Sequence, residues 1–112
     1  MKDADIIVTY RDILAQCHTL LALARSEDWN ELVSRQAHYV CRVESLAQAE
    51  ADVTFSDQTR GQKHDLLIEI CFVEGAIREL LDARLRHISR VMLANRQQSV
   101  AHNAYESVSR TR

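Results

Sequence analysis

Apolar residues recur every three or four positions along most of this chain, the spacing that gathers them on one face of an α-helix. The first stripe is Ile6, Tyr10, Ile13/Leu14, Cys17, Leu20/Leu21 and Ala24, and it predicts a helix from about Ala4 to Arg25. Ser26-Glu27-Asp28 interrupts it. Asp28 is placed to cap the next helix, with Glu31 three residues on as in a capping box. The second stripe is Trp29, Leu32/Val33, Gln36, Tyr39/Val40, Val43 and Leu46/Ala47, which predicts a helix from about Trp29 to Ala51. A connection this short folds the two helices into an antiparallel hairpin, with Trp29 covering its end. Asp52 to Arg60 reads as a loop. Val53, Thr54 and Phe55 have poor helix propensity there, and Ser56 or Asp57 can cap the third helix.

The third stripe is the longest: Leu66/Leu67, Ile70, Val73, Ile77, Leu80/Leu81, Leu85, Ile88 and Val91/Met92. It predicts a helix from about Asp57 to Asn95, in which Gly75 permits a bend or a close helix approach. After Asn95-Arg96-Gln97-Gln98 the pattern fades. A weak fourth helix is expected from Ser99, with Val100, Ala104, Tyr105 and Val108 on one side. The expected fold is therefore all-α: an antiparallel bundle of three long helices plus a short, weakly packed C-terminal helix. It is expected as one domain, with residues 1–95 as the three-helix core and residues 96–112 as a lid or docking segment.

The helix lengths do not match. At a rise of about 1.5 Å per residue, the first two helices are roughly 33–35 Å long and the third roughly 55–60 Å. A two-helix hairpin cannot cover all of the third, yet its stripe continues to Met92. Two covers are possible. The fourth helix can act as a lid through Val100, Ala104, Tyr105 and Val108, and ordering so short a segment about cancels the burial it gains, so the lid would open easily. Alternatively, a homodimer covers the stripe with a second copy.

Composition narrows the class. There is no proline and there are only two glycines, so little in the chain breaks a helix. Net charge is -2, which gives no general attraction to nucleic acid. Residues 1–77 carry 7 basic and 13 acidic side chains, whereas residues 78–112 carry 7 basic and 3 acidic. The basic C-terminal third holds Arg84, Arg86, Arg90, Arg96, Arg110 and Arg112. Its commoner explanation is a solvated helix face; the functional one is a docking surface for an acidic partner. Cys17, Cys41 and Cys71 lie in apolar stretches and fit reduced core thiols of the cytosol. No unbroken apolar run approaches the roughly 18 residues of a membrane span, and the acidic start Met-Lys-Asp-Ala-Asp lacks the order of a signal peptide. A cytoplasmic protein without membrane insertion is expected.

Candidate chemistry is sparse. His38 and Cys41 share a helix face at i,i+3, but a zinc site needs three or four ligands, and no cofactor or metal is expected. Two glycines 14 apart do not build a phosphate loop. Arg11, Arg25 and Arg42 imitate part of the dianion site of an all-α chorismate mutase, but the only lysines, Lys2 and Lys63, lie near helix ends. An enzyme is not expected.

Three segments together resemble the FliT family of flagellar proteins. They are Asp28-Trp29-Asn30-Glu31-Leu32 followed by Tyr39, Val43 and Glu44; Leu80-Leu81-Asp82-Ala83-Arg84-Leu85 leading to Ile88; and Asn103-Ala104-Tyr105. The resemblance spans about Ile13 to Ser109 and rests on order and spacing, since no one motif is strongly specific. It implies a type III flagellar export chaperone that binds the C-terminal region of the filament-cap protein FliD and prevents its early assembly. Such a chaperone delivers its cargo to the export apparatus, including the export ATPase and the gate protein FlhA. The resemblance also implies an alternative or coexisting role as anti-activator of the transcription regulator FlhDC, and a last helix that covers the binding surface. It assigns Tyr105, with Asn103, to gate docking. The stripe itself assigns the cap-protein groove to Ile77, Leu81, Leu85, Ile88 and Met92, where Met92 suits an adaptable apolar surface. The chain ends soon after Tyr105, at Arg112, so regulation through a longer tail is not expected.

Overall fold

The computed structural model describes residues 2–110, the side chains of residues 109 and 110 excepted. It holds three helices: α1 (Asp3–Arg25), α2 (Trp29–Glu50) and α3 (Asp57–Arg110). By their contacts the residues divide into two units, Met1–Leu80 and Leu81–Arg112.

In the first unit, α1 and α2 form the expected antiparallel hairpin, and the first part of α3 packs against both. α1 buries Ile6, Tyr10, Ile13, Cys17, Leu20 and Ala24, which alternate in steps of four and three. α2 buries Leu32, Tyr39 and Leu46, one residue per heptad. α3 contributes Ile70, Val73 and Ile77. These periods near 3.5 are those of helices meeting at small crossing angles. α2 buries less than its stripe predicts, because Val33, Val40, Val43 and Ala47 stay exposed.

The α1–α2 turn is a Schellman closure: Asp28 N–H donates to Leu23 O at 2.9 Å and Glu27 N–H to Ala24 O at 3.2 Å. Glu27 takes the left-handed position with φ 61°, where glycine is usual. Asp28 precedes α2, but its side chain makes no capping hydrogen bond, so the capping box expected with Glu31 does not form. Ser56 does cap α3, its hydroxyl accepting from Thr59 N–H at 3.2 Å. The loop is accordingly shorter than expected. Thr59 in turn donates to Asp3 at 3.1 Å, tying the start of α3 to the start of α1. That hydrogen bond, aided by nearby backbone donors, holds the Asp3 carboxyl below its usual range.

Four further expectations are corrected. The separate short helix from Ser99 is not formed. α3 continues through Arg96-Gln97-Gln98, which are all helix formers, and the fading pattern marks loss of burial instead of a helix end. A Cβ at Gly75 would meet nothing within 4 Å, so no close approach requires that glycine. Of the three cysteines only Cys17 is a core thiol; Cys41 and Cys71 are exposed. Finally, α1 is long and apolar enough, by length and composition, to cross a membrane. The unbroken-run criterion missed this because scattered polar residues divide the stretch. Its apolarity is accounted for by the core it forms with α2 and α3.

Candidate interaction surfaces

The Leu81–Arg112 unit is a helical segment with little burial. Ile77, the first residue expected in the cap-protein groove, lies before it and is only 6% exposed; it belongs to the bundle core. Leu81 is half-buried. Leu85, Ile88 and Met92 follow in helical register on one face, with Leu85 61% and Met92 60% exposed. Val91 and Leu93 beside them are exposed too. The expected lid residues Val100, Ala104 and Val108 are exposed members of the same helix. Residues of one continuous helix cannot fold over their own stripe. Tyr105 is 74% exposed, and Asn103 is exposed as well. His102 pairs with Glu106 at 3.0 Å along this helix. Of the basic face, Arg84 is half-buried and Arg86, Arg90 and Arg96 are exposed. Arg112 and the side chain of Arg110 lie outside the described residues.

A second apolar surface, not expected from the sequence, lies in the first unit. Between α2 and α3 a cavity of about 180 Å³ is lined by Val43, Leu46 and Ala47 from α2 and by Leu67, Ile70 and Cys71 from α3, with Tyr10 and Ile13 of α1 behind them. Glu50 and Glu74 complete its wall. Ile68 and Phe72 stand exposed nearby on α3, Phe72 at 79%. The signal was present. Ile68 and Phe72 are an i,i+4 apolar pair off the main stripe, and the doubled apolar positions of α2 are wider than one seam needs.

Polar groups around this cavity fix the bundle. The Tyr39 hydroxyl donates to Glu74 Oε1 at 2.6 Å and accepts from Cys17 Sγ at 3.5 Å. Burial raises both the Tyr39 phenol and the Cys17 thiol above their usual values. Tyr10 is likewise pushed up, by burial first and the nearby Glu50 carboxylate second. Lys63 Nζ lies 3.4 Å from Glu50 Oε2 and 4.9 Å and 5.9 Å from the ring centroids of Phe55 and Tyr10. An ammonium so placed gains from both rings while answering a largely buried carboxylate. Glu50 Oε1 is buried without a hydrogen-bond partner.

Arg42, one of the three arginines compared with a mutase site, is paired to Asp12 at 2.9 Å. Among the described residues, no three His, Cys, Asp or Glu side chains could hold a metal ion. The described residues define an all-helical protein with large apolar side chains exposed on its helix faces.

Comparison with known proteins gives the family. The family described as "Flagellar protein FliT" matches residues 7–107. The chain is 29% identical over 101 residues to a FliT of Photorhabdus laumondii, covering 90% of this chain and 81% of the relative. It is 29% identical over 103 residues to a FliT of Cronobacter sakazakii, covering 89% and 82%. The crystal structure of FliT from Bordetella bronchiseptica is similar, with a TM-score of 0.65 and 29% identity over 77% of this chain and 98% of that one. The chain belongs to the FliT family of flagellar proteins.

Proposed function

We propose that this protein is a cytoplasmic flagellar export chaperone that binds the C-terminal region of the filament-cap protein FliD, prevents its premature assembly and hands it to the export apparatus. The observation that carries the reading is the stripe Leu85, Ile88 and Met92 on α3, three large apolar side chains in register that are 61%, 37% and 60% exposed. A protein that pairs with an amphipathic helix of its client requires such a row, and Met92 adapts to an irregular partner. Leu81 extends the row; Ile77 is given up to the core. Asn103 and Tyr105 are the proposed contacts to the gate protein FlhA. Tyr105 presents a largely exposed aromatic ring, the kind of group that anchors interfaces. Delivery by way of the export ATPase belongs to the same reading.

The test is calorimetric titration of the full chain with the C-terminal segment of the cognate FliD, comparing wild type with Leu85→Asp. Micromolar or tighter binding that Leu85→Asp weakens at least about 100-fold, with helicity unchanged, supports the proposal; burying an unpaired carboxylate in an apolar contact is that unfavourable. Absence of binding by wild type would sink it. Equal binding by Leu85→Asp would move the site off the Leu85–Met92 stripe, and Phe72→Asp would then report on the α2–α3 cavity.

A further inference from the structure

The α1–α2 seam carries a row of polar residues on one side of the hairpin. At one step of this seam Arg42 of α2 meets Asp12 of α1, 2.9 Å away. Following the same antiparallel register one turn and then two turns further along α1, Gln16 falls opposite His38 and Thr19 opposite Arg35. There the seam opens into a cavity of about 180 Å³ lined by Gln16, Thr19, Leu20, Arg35, His38 and Tyr39. That is far beyond the roughly 10–15 Å³ that one water needs. The α2 wall therefore continues with basic side chains, while the α1 wall changes from a carboxylate to a neutral amide and hydroxyl. The Thr19 hydroxyl is turned to its own helix, donating to Ala15 O at 3.2 Å. Glu31 engages Arg35 Nε at 2.8 Å from within α2, at the solvent edge where both side chains are about half exposed. Across the cavity, no carboxylate lines the wall.

The geometry points to an acceptor site for a carboxylate on a short aliphatic stem, supplied from outside the chain to the place that Asp12 fills one turn away. Arg35 supplies the permanent positive charge and the planar donor group suited to a carboxylate. His38 and Gln16 add N–H donors. Leu20 and Tyr39, both buried, give an apolar back wall for the methylenes. The same chemistry comes from an acidic side chain of a partner protein or from a free small dicarboxylate. The site lies on α1 and α2 and does not depend on the chaperone reading.

The experiment is an NMR titration of the isotope-labelled full chain with glutarate, with the capped peptide Ac-Ala-Ala-Glu-Ala-Ala-NH2, and with neutral glutaramide. The expected result is saturable shifts of the amides around Gln16, Thr19, Arg35 and His38 with one or both acids and none with glutaramide. Arg35→Gln should weaken that binding at least about 5-fold without altering the spectrum elsewhere, since it removes the charge-assisted contact on an exposed residue. Tighter binding of the peptide than of glutarate identifies a partner's acidic side chain as the ligand; equal or weaker binding identifies a free acid. The inference is overturned if neither acid gives saturable shifts, if glutaramide shifts the same amides equally, or if Arg35→Gln binds as wild type does.

Discussion

Tyr39 and Glu74 join α2 to α3 through a hydrogen bond of 2.6 Å from the phenol to Oε1, made beside the buried Cys17 thiol. The bond crosses 35 positions of sequence and lies on the wall of the α2–α3 cavity. Tyr39→Phe keeps the ring and leaves the Glu74 carboxylate without this donor. The variant should lose about 1–2 kcal/mol of stability, read as a lower urea midpoint with an unchanged slope. No change in the midpoint would mean that water replaces the phenol at no loss.

The buried phenols set the alkaline limit. Tyr39 and Tyr10 both have pKa values raised above the unfolded value of 10.0, chiefly by burial. A raised folded-state pKa contributes stability that is fully present below the unfolded value and is lost as pH rises above it. Unfolding free energy should therefore be insensitive to these groups below pH 10 and fall as pH climbs beyond it. Tyr39→Phe should flatten part of that decline, measured by denaturant melts across the alkaline range.

At the opposite limit, Asp3 has a pKa held below 3.8 by Thr59 and neighbouring donors. Its contribution is present above that value and is lost as pH falls through the lowered one. Asp3→Asn should therefore reduce the loss of stability on acidification below pH 3.8. An acid limb identical to that of wild type would show that the bond to Thr59 is not kept in solution.

Two substitutions should stabilise the protein. Glu27 is held at φ 61°, so Glu27→Gly relieves a left-handed residue with a Cβ and should add about 1 kcal/mol. Gly75 lies within α3 with open space around its Cβ position, so Gly75→Ala should add about 0.5–1 kcal/mol through helix propensity. Thermal melts check both. A fall in Tm for Gly75→Ala would reveal a need for flexibility at that point of the helix.

Among the described residues, the buried apolar side chains all precede Leu81. Residues 1–80 alone should therefore form a cooperative helical unit, with a Tm within a few degrees of that of the whole chain. Residues 81–112 alone, lacking a packed face, should be largely unfolded as a peptide. Circular dichroism of the two pieces decides this.

Helix type, the turns and most of the α1 core were legible in the chain. Without proline, and with glycine at two positions only, stripes of period 3.6 leave little but helix, and the breaks at Ser26-Glu27-Asp28 and before Ser56 stand where local propensity is poor. The three segments that resemble FliT were legible as well, and the family match agrees with them.

Packing against neighbours decided the rest. Periodicity states which residues share a face, not whether a neighbour covers it, so Ile77 and Leu85 belong to one stripe yet one is core and the other exposed. The end of α3 could not be read from the fading stripe, because a solvated helix loses its apolar pattern without losing its backbone hydrogen bonds. The cavity beside Cys71 and the seam where Arg35 and His38 face Gln16 and Thr19 depend on the register of one helix against another. Local sequence determined the helices of this protein; only the tertiary structure decided which of their faces are paired, because pairing depends on residues distant along the chain.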